Sequence, residues 1–92
     1  MKRFAQVSIA TGDVGRIPSD LLFPRTGANG KSATVTANSG NGFFRLDVVP
    51  ASAGTGHPLN AGGVVPLTCE EDLKQFSIFA TVAMVIAITV EA

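Results

Sequence analysis

Tryptophan and tyrosine are missing from this 92-residue chain, cysteine and histidine occur once each, and charged side chains make up only 15% of it. With Cys69 alone, no intrachain disulfide and no thiolate metal cluster can form. His57, followed by Pro58, has no second ligand or base at a recognisable spacing, so it reads as a loop histidine without chemistry. No nucleophile, base and orienting group can be assembled from these residues, and the chain is expected to be no enzyme and to hold no metal or cofactor. Lys2, Arg3, Arg16, Arg25, Lys31 and Arg45 are strewn along the first half and not clustered, which argues against nucleic-acid binding.

The zero net charge covers an asymmetry. Residues 1–46 hold six basic against two acidic side chains, and residues 47–92 hold one basic against five acidic. Charge balance between strands that become adjacent accounts for this first; complementary patches on neighbouring copies are the second reading.

What is present is 46% hydrophobic residues, ten glycines and five prolines, the composition of a turn-rich all-β chain. One domain over residues 1–92 is expected. The start, MKRFAQVSIATG, lacks the continuous apolar core of an export signal.

The most apolar stretch is FSIFATVAMVIAITVEA, Phe76 to Ala92. Its even positions, Phe76, Ile78, Ala80, Val82, Met84, Ile86, Ile88 and Val90, are apolar without a break, the period of a half-buried strand. As a helix its uncharged part would span only about 22 Å against a hydrocarbon core of about 30 Å, so a membrane anchor stands as an alternative and not as the first reading. As one straight strand it would reach about 50 Å, too long for a small domain. A fold-back at Thr81–Ala83 is therefore expected, pairing Ala80 with Met84, Ile78 with Ile86 and Phe76 with Ile88; a bend in one long strand is the other solution.

Earlier in the chain, Arg3 to Ala10 alternates as a strand with Ala5, Val7 and Ile9 on one face. Arg16 to Arg25, with Pro18 and Pro24 around Leu21, Leu22 and Phe23, predicts an edge strand or an irregular covering segment. Gly30-Lys31-Ser32 resembles the end of a phosphate-binding loop, but Arg25 stands where the first glycine is needed and a strand pattern follows. Ser39-Gly40-Asn41-Gly42 predicts a hairpin turn joining Ala33–Asn38 to Phe43–Val49. Residues 51–63 read as a long loop of small residues. Val64 to Leu67 reads as a short strand. Thr68 and Glu71 have capping-box spacing for one helical turn over Cys69 to Gln75 with Leu73 facing in.

The fold class that follows is a small antiparallel β-sandwich, jelly-roll-like, of about six to eight short strands with one helical turn near residues 69–75. The succession of a Gly-rich loop, GGVVPLTCEEDL and the closing FSIFATVAMVIAITVEA resembles the short β-sandwich structural proteins of tailed bacteriophages. That resemblance covers about Gly54 to Ala92. It implies a non-enzymatic virion protein assembled in the host cytoplasm, a capsid decoration or cement subunit that binds a major capsid protein or another virion protein as a small homo-oligomer, a trimer by preference. A receptor- or carbohydrate-binding module of a virion fibre is the alternative, disfavoured by the missing Trp and Tyr. Candidate interface residues are Leu21, Leu22 and Phe23, His57 and Leu59 in the long loop, and Phe79 and Val85 on the odd face of the last stretch, where the fold-back would set them opposite each other.

Overall fold

A computed structural model describes residues 2–23, 28–47, 54 and 56–92. Among them six strands and two short helices follow in order: β1 (Lys2–Ile9), β2 (Val14–Gly15), α1 (Ser19–Leu22), β3 (Ser32–Arg45), β4 (His57–Asn60), β5 (Val64–Leu67), α2 (Glu70–Gln75) and β6 (Ser77–Glu91). Every strand pairing is antiparallel. The chain is all-β, as its alternation predicts.

Two long strands, β3 and β6, pair with each other along their length and carry everything else. On the far side of β6, β1 covers residues 84–91 and β2 covers residues 78–79. On the far side of β3, β5 covers residues 33–36 and β4 covers residues 41–44. The sheet thus has a β1 half (β1, β6, β3, β5) and a β2 half (β2, β6, β3, β4) that share their two middle strands.

β6 bends between the halves. A straight strand of its 15 residues would be about 50 Å long, whereas the longest dimension of the molecule is 36 Å. Beside Gly30, a Cβ would lie 2.6 Å from Val90, 3.2 Å from Leu73 and 3.7 Å from Leu22, so these three side chains converge there. Leu73 precedes the start of β6 by only four residues, a reach of at most about 14 Å, and Val90 is one residue from its end. The two ends of β6 are therefore brought together, and the halves of the sheet fold over one core. Corners of this kind, where a strand passes from one layer to the other, are made by bends and bulges.

The Thr81–Ala83 fold-back is thus a bend inside one strand and not a hairpin. Ala80 pairs with Gly42 and Ile78 with Phe44, while Ile86 lies between Val7 and Ala37. Continuity wins because both sides of β6 have ladder partners, which a hairpin would have to give up. At the corner, side chains and loop backbone replace ladder bonds. Ala83 N–H donates to Thr11 Oγ1 at 3.0 Å, Thr81 Oγ1 donates to the Asn41 carbonyl at 3.1 Å, and Gly12 N–H donates to the Ala80 carbonyl at 2.7 Å. The even positions stay buried from Phe76 to Val90 except Val82, which the corner turns out to 52% exposure.

Ser39-Gly40-Asn41-Gly42 likewise makes no hairpin. β3 continues through it as one strand, and its register with β6 slips at Ala37/Ser39, Ser39/Asn41 and Asn41/Gly42. The glycines serve close approach. Gly40 has φ +80°, and a Cβ on it would stand 2.3 Å from the Ala83 carbonyl oxygen; one on Gly42 would stand 2.3 Å from that of Phe79. Neither Asn41 nor Gly42 takes the positive φ of a hairpin turn; Gly40 does, and the segment bends β3 against the corner of β6.

Three further expectations are corrected. Arg16 to Arg25 contributes a turn of helix, α1, with Leu22 buried; Pro24 and Arg25 lie outside the described residues, as do Val48 and Val49 of the predicted second hairpin strand. The predicted loop over 51–63 contains β4, held to β3 from Asn41 to Phe44. Helix α2 starts one residue later than the capping box requires, with Cys69 as its N-cap and no side-chain cap bond, which leaves Thr68 too early to cap. Leu73 faces in as expected.

The core is the even face of β6 (Phe76, Ile78, Ala80, Met84, Ile86, Ile88, Val90) with Val35 and Ala37 of β3, Leu59 of β4, Val65 and Leu67 of β5, and Leu22 and Leu73 of the helices. Phe44 stacks on Phe76 at 6.2 Å between ring centroids. In contiguous apolar burial of this kind each large side chain contributes roughly 1.5–3 kcal/mol.

Candidate assembly surface

The strand registers fix which residues share the outside of each half. In the β2 half, Val14 pairs with Phe79, Phe79 with Phe43, and Phe43 with Pro58. These four stand side by side across four strands, and in the adjacent row Ile78 and Phe44 pack into the core. Val14 is 44% exposed, Phe79 and Phe43 are half-buried, and Pro58 is exposed. An uninterrupted apolar row on the outside of a sheet is uncommon, because the outward residues of a solvated antiparallel sheet are normally polar. Asn41 and Thr81 border it on the corner side, with exposed Val82 beside Asn41, and Arg45 borders it on the other, where Arg45 Nε donates to Asp47 Oδ1 at 3.0 Å.

In the β1 half the outward rows are Phe4, Thr89, Thr34 and Pro66, then Gln6, Ala87, Thr36 and Val64. Phe4 is the most exposed large apolar side chain among the described residues, at 61%, and is separated from Val64 and Pro66 by threonines and alanine. Across the end of this face Lys2 Nζ lies 3.3 Å from Glu91 Oε1, which joins the basic first half of the sequence to its acidic second half. Both groups are well exposed, so the pair adds little stability.

The predicted interface residues divide. Leu22 and Leu59 are 6% and 4% exposed and belong to the chain's own core, so they are not offered to a partner. Leu21 is half-buried, and its carbonyl accepts from Arg3 Nε at 3.0 Å. Phe23 is exposed, with Lys74 Nζ 5.6 Å from its ring centroid. His57 is exposed and lies against Phe44 at 5.3 Å between centroids. Phe79 and Val85 both point outward, but on different halves: Val85 pairs with Ser8 and Ser39, not with Phe79. Their expected juxtaposition falls with the hairpin.

Sequence reasoning singled out Phe79 but missed its neighbours Val14, Phe43 and Pro58. The doublet Phe43-Phe44 in an alternating strand was the available signal, since one of two adjacent aromatics in a strand must face outward.

Among the described residues no three His, Cys, Asp or Glu side chains are grouped to hold a metal ion, and no helix is long and apolar enough to cross a membrane. The open hollows are shallow; one of about 510 Å³ lies between Arg45, Leu46, Asp47, Gly56 and His57. Compared with protein-family models, curated proteins and solved structures, the chain matches none.

Proposed function

We propose that this chain is a non-enzymatic structural subunit of a virion, a capsid decoration or cement protein that strengthens a shell by burying its outer sheet face on neighbouring subunits. The observation that carries the reading is the uncharged row Val14, Phe79, Phe43 and Pro58 on the outside of the β2 half. Its chemistry is that of an interface core, two aromatics flanked by aliphatic groups with polar residues at the border. The likeness of residues 54–92 to small phage β-sandwich proteins supplies the setting, with a major capsid protein or another virion protein as the partner. A subunit that binds only the assembled shell adds its binding free energy to the stability of that shell.

Phe43→Ser and Phe79→Ser test this reading. Both side chains are outward-facing, so the variants are expected to keep the β-sheet circular-dichroism signal of the parent. Each is expected to lose about thirtyfold or more in affinity for shells of the virus that carries the chain, read by co-sedimentation, because buried interface aromatics contribute about 2 kcal/mol or more. A parent chain that stays in the supernatant with such shells would overturn the proposal.

A further inference from the structure

Among the described residues four strand edges bound the sheet, and they are not equivalent. β2 is two residues long. β4 and β5 are four residues each, and each carries a proline, Pro58 and Pro66. Proline in an edge strand turns its donor-less nitrogen outward, so neither edge can be extended by a regular ladder. β1 alone is long, at eight residues, and it contains neither proline nor glycine. From Phe4 to Ile9 its backbone pairs with β6 on one side, and among the described residues no strand meets the other side.

Helix α1 meets the start of β1, where Arg3 Nε donates to the Leu21 carbonyl, and Ile17 and Leu22 are buried; farther along this edge two inward rows end half-buried. Ile88, Val35 and Val65 share an inward row with Ala5, and Ile86 and Ala37 share one with Val7. The β6, β3 and β5 members of these rows are buried, but Ala5 and Val7 are only half-buried. A further strand beside β1 would complete both rows.

We infer that β1 pairs antiparallel with β1 of a second copy, through a two-fold axis perpendicular to the sheet and passing at Gln6. The occupant follows from the edges themselves. A different edge of another copy is excluded because the other three are blocked or too short, so edge pairing can only be β1 with β1. A perpendicular two-fold keeps the two inward faces on the same side, setting Ala5 against Val7 of the second copy and Phe4 against Ser8. It also separates like charges: Lys2 comes opposite Ala10 of the second copy, whereas a parallel pairing in register would place Lys2 against Lys2. The result is a continuous sheet of eight strands, β5-β3-β6-β1 and its repeat, that closes at two subunits. The inference rests on the assembly reading only in taking the partner to be another copy, and it replaces a trimer by a dimer as the basic unit. The apolar row of the β2 half remains free for a shell.

Gln6 is exposed on the outward face, so its replacement leaves the core untouched. The parent chain is expected to sediment as a dimer. Gln6→Lys and Gln6→Glu each place like charges on the axis and are expected to weaken the dimer about tenfold at low salt. An equimolar mixture of the two is expected to recover a dimer of mixed composition. A monomeric parent would overturn the inference, and so would a dimer indifferent to both substitutions. Shell binding separates the two proposals. A weakened Gln6→Lys dimer that still co-sediments with shells leaves the cement reading intact, and a dimeric chain that never binds shells leaves the two-fold intact.

Discussion

Gly40→Ala is expected to remove about 3 kcal/mol or more of folding stability, measured by urea denaturation of the purified chain, whereas Gly12→Ala is expected to cost about 1–2 kcal/mol. Both glycines have positive φ, +80° and +86°, so an alanine at either carries a similar backbone penalty. Their surroundings differ. A Cβ at Gly12 meets nothing within 4 Å, but at Gly40 it stands 2.3 Å from the Ala83 carbonyl oxygen and 2.6 Å from Met84 Cβ. Those atoms belong to the corner of β6 and cannot swing aside as a flexible side-chain end could. Equal losses in the two variants would mean that β3 and β6 do not cross as closely as this.

The alternation of β1 and β6 was legible because each has one face in the core, and period two survives any arrangement of partners. The corners were not. A glycine-rich Asn-Gly segment suits a hairpin or a bulge, here with positive φ at Gly40 alone, and the choice depends on whether the flanking strand has ladder partners on both sides. β3 has β6 on one side and β5 and β4 on the other, so leaving the ladder would cost more hydrogen bonds than a bulge does. The same logic settles Thr81–Ala83. Strand length gave the right warning, that 15 residues cannot run straight in a small domain, but not the remedy. β4 was hidden because His57-Pro58-Leu59-Asn60 shows only one apolar residue that needs a core, Leu59.

The candidate surface was half legible for a related reason. Phe79 could be recognised as sticky from its own strand alone. That Val14, Phe43 and Pro58 join it depends on the registers of three separate pairings, and registers between strands distant in sequence leave no local mark. The exposure of Phe4, 61%, was not legible either, because it depends on β1 being an edge strand, which its own alternation does not show. Leu22 and Leu59 were misread in the opposite direction. Apolar residues in irregular or proline-bounded segments look like surplus, yet a chain this small draws on such residues to close its core.

Phe76→Ala is expected to remove about 3–5 kcal/mol, the range for deleting a fully buried phenylalanine. Phe76 is fully buried at the point where α2 hands over to β6, and its ring stacks on Phe44 of β3. It therefore ties three things together: the end of the helix that carries Leu73, the first residues of β6, and the strand beside them. Leu73 and Val90, next to the two ends of β6, both lie against Gly30, so the two ends of the bent strand meet there. A domain of this length has a total stability of about 5–14 kcal/mol, so the loss takes a large share of it. The expected fall in midpoint temperature is roughly 15–30 °C, read by the β-sheet circular-dichroism signal. Phe4→Ala supplies the contrast, since its ring is exposed, and in the isolated chain it is expected to change stability by less than about 1 kcal/mol. If the two substitutions cost the same, the junction of α2 and β6 is not what holds the folded sheet closed.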